Sequence, residues 1–229
     1  MPRVSGYLLA SAEQGGVEAP LIHRPMQAYD TIAAWYSATR SPEVGVAEVR
    51  AFLRGLPDGA SMLDLGCGDG VPLTRALVAG GARVTALDSS AAMVARFRAA
   101  LPGVPVHHAR IQDAAFPAAS FDGVLAWGVL FHLTAAEQRA AIRSVAGWLR
   151  PGGRFLFTSG DEAGTRRGEM AGVAFEYVSL GAAGYRAEVE RAGMRLESHR
   201  RDAWDNHVYV AANDADGESG PFGVGRNAR

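Results

Sequence analysis

The chain has 229 residues, of which 23 are basic and 24 acidic, so its formal net charge is −1. Hydrophobic residues make up 48% of the chain and charged residues 21%, which is typical of a globular protein with a sizeable core. The balanced charge argues against a general nucleic-acid binder. No apolar run is close to the length of about 18 residues that a membrane span requires. Cys67 is the single cysteine, which excludes an intrachain disulfide. We expect a cytoplasmic protein.

The N-terminal third of the sequence predicts an arm, two helices and a strand. Residues 1–25 show little periodicity and predict a loosely ordered arm. Apolar residues between Gln27 and Thr39 recur at helical spacing, and Ser41-Pro42 predicts the start of a second helix that continues through Leu56. A short apolar strand follows at 61–65 and leads into glycines at 66, 68 and 70.

Strands and helices then alternate, which predicts a parallel sheet with helices on both faces. The predicted strands cover 83–87, 104–109, 121–127 and 154–158, and the predicted helices cover 71–79, 91–101 and 135–149.

Residues 160–184 interrupt this alternation, and only a run at 173–178 is strand-like. We interpret them as a lid-like insertion within one domain, residues 26–212. A helix at 185–192 and two strands at 194–199 and 208–212 close that domain. Residues 213–229 are polar and glycine-rich, which predicts a disordered tail.

The most informative segment is Leu63-Asp64-Leu65-Gly66-Cys67-Gly68-Asp69-Gly70. Its glycines let the backbone approach a ligand closely, and the following helix offers free N–H groups at its N-terminus. A dinucleotide fingerprint requires a glycine at the sixth position, where this chain has Val71. Asp88 ends the next strand, where a carboxylate can accept hydrogen bonds from two ribose hydroxyls. Gln112-Asp113 follow the third strand and could accept from the exocyclic amine of adenine.

Together with 87–90, 121–122, 127–133 and 149–153, these segments resemble a class I S-adenosylmethionine-dependent methyltransferase over roughly residues 27–212. The resemblance implies an α/β fold, a Rossmann-like doubly wound sheet of seven strands. It also implies that the strands are mostly parallel with the last antiparallel, and that helices cover both faces. One S-adenosyl-L-methionine would lie across the strand ends.

The resemblance further implies a role for particular residues of this chain. Those expected around the methionine and ribose moieties are Asp64, Gly66, Cys67, Gly68 and Asp88. Those expected around the adenine are Ser89, Met93, Gln112 and Asp113. Those expected to cover the cofactor or to lie near the methyl group and the acceptor are Tyr29, Tyr36, Trp127 and His132.

Several side chains keep more than one interpretation. His132, with an ordinary imidazole pKa of about 6.5, is the candidate general base, but it could instead position a ligand or be structural. Phe175 and Tyr177 suit either core packing or a lid over a planar acceptor. Asp161-Glu162 and Asp205-Asn206 offer oxygen ligands, but their spacing matches no known loop, so no metal is predicted.

The expected function is methyl transfer to an oxygen or nitrogen of a small molecule. The short chain, its balanced charge and the aromatic residues of the insertion favour this class of acceptor. We expect no nucleic-acid or membrane partner, and a monomer or homodimer. The alternatives are a protein or RNA methyltransferase, a nicotinamide-dependent oxidoreductase, which Val71 disfavours, and a module that binds the cofactor without turnover.

Overall fold

A computed structural model of the protein describes residues 25–213, with side chains from Ala28 onward. The predicted arm and tail therefore lie outside the described residues, apart from the two positions at which they meet the domain. No helix within 25–213 is long and apolar enough to cross a lipid bilayer.

The helices of the described chain are α1 (Pro25–Thr39), α2 (Val46–Leu53), α3 (Leu73–Ala79), α4 (Ala91–Ala100), α5 (Ala135–Trp148) and α6 (Gly181–Arg191). Two single-turn 3-10 helices cover Ile111–Asp113 and Leu130–His132. The strands are β1 (Ser61–Leu65), β2 (Arg83–Asp88), β3 (Val106–His108), β4 (Phe121–Ala126), β5 (Leu149–Ser159), β6 (Ala163–Met170), β7 (Val173–Leu180), β8 (Met194–Arg201) and β9 (His207–Asn213).

Seven strands form one sheet in the order β3-β2-β1-β4-β5-β9-β8. The neighbouring pairs from β3 to β5 are parallel, whereas β9 is antiparallel to both β5 and β8. The last described strand, β9, is thus the antiparallel strand of this sheet, and it lies between β5 and β8. This arrangement confirms the predicted doubly wound α/β fold.

The two faces of the sheet are packed by different helices, because successive side chains of each strand point to opposite sides. Leu63 and Leu65 of β1 pack with Ile142 of α5 in one apolar cluster. Met62 packs in the other with Phe52 of α2 and further residues of α3. Asp64 shares the face of Met62, which directs its carboxylate towards α3.

The second predicted helix is wrong in its length, since α2 covers only Val46–Leu53. Residues 42–45 form turns, and Gly45 has φ +73°. A Cβ at Gly45 would lie 2.8 Å from Cζ2 of Trp127. The chain therefore leaves helical geometry where it passes over the tryptophan, a contact that local spacing does not reveal.

The insertion contains one strand that the sequence pattern did not predict. β6 is mostly exposed and has no apolar alternation, but it pairs antiparallel with β7 along its whole length. The resulting β6–β7 hairpin is a separate two-stranded sheet. Its apolar face packs on α1, where Phe175 is buried against Ala28 and Ile32. The hairpin and α1 therefore lie together at one edge of the main sheet.

Candidate active site

The glycine turn after β1 is held against the end of β2. The backbone N–H groups of Gly66 and Cys67 both donate to the carbonyl of Leu87, at 2.8 and 3.1 Å. Gly66 has φ +70°, and a Cβ there would lie 2.5 Å from Val129 Cγ2. Gly68 also has a positive φ, but a Cβ there would meet no other part of the described chain within 4 Å. The turn is thus packed on its inner side and open at Gly68.

Asp88 lies at the centre of this edge. One carboxylate oxygen accepts from the Gly68 N–H and the other from the Ser90 N–H, both at 2.8 Å. Burial raises the pKa of Asp88, and these backbone hydrogen bonds counteract the rise. A carboxylate has about four lone-pair sites, so Asp88 keeps capacity for a further donor such as a ribose hydroxyl.

Asp64 is buried beneath the turn and is paired with α3. It accepts a 2.6 Å hydrogen bond from the Thr74 hydroxyl. Burial raises the pKa of Asp64 to about 6, and the Thr74 bond and the charge of Arg40 oppose that rise. Burial also holds the pKa of the Cys67 thiol well above its usual range. Cys67 is therefore a neutral thiol rather than a reactive thiolate.

The residues predicted around adenine are not all brought together. Met93 is fully buried at the first turn of α4, and the carbonyl of Ser89 lies 3.1 Å from Nε2 of His108. Gln112 and Asp113 are exposed on their 3-10 helix, where Asp113 pairs with Arg110. Gln112 also shares a hydrogen bond with Glu137 of α5, and a contact of Gln112 and Asp113 with adenine stays a prediction.

Helix α1 covers the strand ends with one face. Tyr36 accepts a 2.7 Å hydrogen bond from Arg40 and packs edge-on against Tyr29, with ring centroids 5.5 Å apart. The hydroxyl of Tyr29 lies 3.0 Å from Nε2 of His132, and the two side chains share a hydrogen bond. Both predicted tyrosines thus lie on the covering face of α1.

His132 is enclosed by aromatic side chains. Its ring centroid lies between 4.8 and 5.6 Å from those of Tyr29, Phe131, Phe175 and Tyr177. Burial without a nearby carboxylate lowers the pKa of His132 to about 3. The expectation of an ordinary imidazole pKa is therefore wrong, and His132 is neutral at physiological pH.

Three buried polar atoms of the described chain lack a hydrogen-bond partner. They are Ser37 Oγ of α1, Trp127 Nε1 and His132 Nδ1. Buried polar groups are normally paired, so each of these atoms has hydrogen-bonding capacity to offer a ligand. Ser37 lies two turns along α1 from Tyr29, and Trp127 directly follows β4. A polar ligand bound under α1 is thus compatible with these residues.

A network of buried hydrogen bonds holds the β6–β7 hairpin at the same edge of the sheet. Gln138 of α5 donates to the carbonyls of Leu133 and Val178, at 2.9 and 2.8 Å. It also accepts a 2.6 Å hydrogen bond from Tyr185, whose hydroxyl is bonded to Ser159. The position of β7 over His132 is therefore set by polar contacts as well as by ring packing.

The carboxylates considered as metal ligands are engaged elsewhere. Asp161 pairs with His207 at 3.2 Å, Glu162 with Arg166 at 2.6 Å, and Asp205 with Arg201 at 3.2 Å. Within the described part of the chain, no three His, Cys, Asp or Glu side chains are grouped so that they could hold a metal ion.

Sequence reasoning missed four polar side chains that shape this edge: Asp30, Arg40, Thr74 and Gln138. Asp30 and Gln138 bond to groups at least 40 residues away in the chain, so local spacing carries no sign of them. Thr74 could have been found. A hydroxyl in the first turn of the helix after a glycine turn is well placed to reach the buried carboxylate of Asp64.

Comparison with known proteins is consistent with this geometry. Residues 62–153, which include β1, the glycine turn, Asp88 and His132, match a family model described as a methyltransferase domain. Residues 62–153 are thus similar to a methyltransferase domain. The matched segment begins in β1 and ends within β5, so it contains the sheet edge described above.

Curated proteins similar to this chain include two named methyltransferases. The chain is 38% identical over 109 residues to the ubiquinone biosynthesis O-methyltransferase of Xanthomonas axonopodis, covering 45% of this chain and 44% of the relative. It is 34% identical over 155 residues to the 27-O-demethylrifamycin SV methyltransferase of Amycolatopsis mediterranei, covering 61% and 56%. The chain thus spans about half the length of the curated relatives it matches.

Solved structures share the fold at lower identity. The CcbJ methyltransferase of Streptomyces caelestis superposes with a TM-score of 0.68 at 20% identity, covering 82% of this chain and 98% of that one. The 1,6-didemethyltoxoflavin-N1-methyltransferase of Burkholderia thailandensis gives a TM-score of 0.64 at 18% identity, covering 91% and 98%. The second was solved with 1,6-didemethyltoxoflavin and S-adenosylhomocysteine bound.

Proposed function

We propose that this protein is an S-adenosylmethionine-dependent methyltransferase that acts on an oxygen or nitrogen of a small molecule. The observation that carries the proposal is Asp88, held by Gly68 and Ser90 at the end of β2, at the same sheet edge as a histidine enclosed by aromatic rings. The match of residues 62–153 to a methyltransferase domain supports it independently.

The residues at the strand ends fit the cofactor. Asp88 would accept from the ribose hydroxyls, and the open side of Gly68 would let the ligand approach the turn. Tyr29, Tyr36 and Trp127 would cover it, while Gln112 and Asp113 would contribute at its adenine rim. When bound, S-adenosyl-L-methionine supplies an already activated methyl group on a sulfonium. The chain's own task is therefore mainly alignment, which can contribute about 7–11 kcal/mol to lowering a barrier.

The elements that cover His132 support a small-molecule acceptor. α1 and the β6–β7 hairpin meet above this side chain, and Phe175 is 4% exposed. A site covered in this way would admit a planar organic molecule more readily than a folded protein or an RNA duplex. The names of two relatives, an O-methyltransferase of ubiquinone biosynthesis and a demethylrifamycin methyltransferase, are in keeping with an acceptor of this size.

His132 would position the acceptor rather than remove its proton. An imidazole with a pKa of about 3 is a poor base at neutral pH, since proton transfer to it is uphill. Its unpartnered Nδ1 can still exchange a hydrogen bond with an acceptor group. The favoured acceptor is consequently a neutral amine, or a hydroxyl or ring N–H acidic enough to ionise without help.

The proposal is tested by following S-adenosylhomocysteine release in the presence of S-adenosylmethionine and a panel of phenols, heteroaromatic N–H compounds and amines. We expect release that depends on one of these small acceptors and that is lost in Asp88→Ala. A matched control is Asp122→Ala, because Asp122 also accepts a backbone N–H but lies at the start of β4, at the opposite end of the strands. Release that occurs only with protein or RNA added would contradict the small-molecule assignment.

A further inference from the structure

Asp30 joins the covering helix to the first turn of α4. Its Oδ1 accepts a 2.6 Å hydrogen bond from the Ser90 hydroxyl and a 3.0 Å bond from the Ala92 N–H. Ser90 is also the N-cap of α4 and accepts from the Met93 N–H at 3.1 Å. The carboxylate of Asp30 thus completes the cap of a helix 60 residues away in the chain, where a negative charge is favoured.

The same contact lies between the two halves of the site. Ser90 donates its backbone N–H to Asp88, the residue proposed to hold the ribose. Tyr29, the residue before Asp30, shares a hydrogen bond with His132 in the aromatic pocket. Two consecutive residues of α1 therefore connect the cofactor side of the edge to the acceptor side.

Asp30 is a direct polar link between α1 and α4. The apolar packing of α1 on the hairpin centres on a small cluster, Ala28, Ile32 and Phe175. Hydrogen bonds to an ionised carboxylate are shorter and stronger than neutral ones, and the 2.6 Å contact with Ser90 is of this kind. Loss of the carboxylate should therefore release the N-terminal half of α1 in particular.

We infer that Asp30 is a positioning residue, which fastens α1 over the strand ends and couples cofactor binding to the placement of Tyr29 and His132. This inference rests on the proposed function. It extends that function, because it assigns the alignment of the acceptor pocket to a side chain that touches neither ligand. Binding of the cofactor at Asp88 would stabilise the position of Ser90. Through its hydrogen bond with Asp30, Ser90 would in turn stabilise the closed position of α1.

The test compares the native protein with Asp30→Ala, Asp30→Asn and the control Asp58→Ala, whose side chain lies in an exposed turn. Calorimetric titration gives the affinity for S-adenosylhomocysteine, and hydrogen exchange gives the protection of the α1 amides with and without that ligand. For Asp30→Ala we expect about tenfold weaker binding and loss of the ligand-induced protection of α1. Asp30→Asn keeps an accepting oxygen without the charge and should restore part of both, whereas Asp58→Ala should match the native protein.

Unchanged affinity and unchanged α1 protection in Asp30→Ala would overturn the inference. Exchange that rises equally in β1, β4 and α1 would also overturn it, because it would show a role in general stability only. A native protein that does not bind S-adenosylhomocysteine would contradict the proposed function instead. In that case the hydrogen exchange of α1 without ligand still tests the inference. If Asp30 holds α1 in place, the α1 amides should lose protection selectively in Asp30→Ala.

Discussion

Gly66 and Gly68 have similar backbone angles in the glycine turn but different surroundings. Both have positive φ, which costs an alanine about 1–2 kcal/mol. Only at Gly66 would a Cβ also collide, since it would lie 2.5 Å from Val129. The sequence pattern predicted both glycines for one reason, the close approach of a ligand. The structure assigns Gly66 to internal packing and Gly68 to the open face.

Replacing each glycine by alanine separates these two roles. Gly66→Ala should lower the free energy of unfolding by about 2–5 kcal/mol, because overpacking adds about 1–3 kcal/mol to the backbone strain. Gly68→Ala should lower it by only about 1–2 kcal/mol. Urea denaturation of both variants measures the difference. Equal losses would show that the contact with Val129 does not set the geometry of the turn.

His132 gives the fold a measurable dependence on pH. Its pKa is about 3 in the folded protein and about 6.5 when unfolded, so between these values the unfolded chain binds one more proton. The folded state therefore loses stability as the pH falls below about 6.5, by up to about 1.4 kcal/mol per pH unit. Asp64, with its pKa raised to about 6, acts in the opposite direction over about pH 4–6.

His132→Gln isolates the contribution of the imidazole, since the contribution of Asp64 is common to both proteins. Between about pH 6 and pH 4 the native protein should lose stability relative to the variant, whatever the variant's own stability at neutral pH. Urea midpoints measured across this range give the difference, with the exposed His108→Gln as control. Parallel curves for the native protein and His132→Gln would contradict the burial of a neutral imidazole.

At the scale of elements, most helices and strands were predictable and two were not. β1 was predicted to the residue, and β2, β4 and α5 to within one or two residues, because buried parallel strands and a Thr134 capping box leave local signals. α2 was predicted too long, and β6 was missed. The chain leaves helical geometry at Gly45, where it passes over Trp127, and β6 is a strand because it pairs with β7. Both depend on contacts between distant parts of the chain.

Replacing Phe175 tests whether the hairpin and α1 move together as one covering unit. Its ring packs against Tyr29, His132 and Tyr177. Phe175→Ala should leave a cavity there and raise hydrogen exchange in β6, β7 and α1, with little change in β1 or β4. Phe116→Ala serves as control, since Phe116 makes ring contacts with Phe121 and Trp148 instead. Exchange confined to the hairpin would show that α1 is held independently of it.

At the scale of the whole domain, the carboxyl ends of β1, β2 and β4 bring together residues that lie far apart in the chain. Asp88 was predicted for this edge from its position at a strand end, where ligands of doubly wound sheets bind, and the family resemblance implied Asp64 and Trp127 there. Of their partners, Thr74 was within reach of local reasoning, whereas Asp30 and Arg40 reach the edge from α1 and the residue after it, whose placement depends on the complete fold. The edge and the tyrosines of α1 could be located from the sequence, whereas the polar contacts that hold α1 in place could not.

The central claim is tested most directly by calorimetric titration of S-adenosylhomocysteine into the native protein, Asp88→Ala and Asp122→Ala, with NADH as the competing cofactor class. We predict that the native protein and Asp122→Ala bind S-adenosylhomocysteine and not NADH. Asp88→Ala should bind about 1–3 kcal/mol more weakly, because charged hydrogen bonds to the ribose are lost. Equal affinity of Asp88→Ala and the native protein, or binding of NADH alone, would contradict the placement of an adenosylmethionine site at this edge.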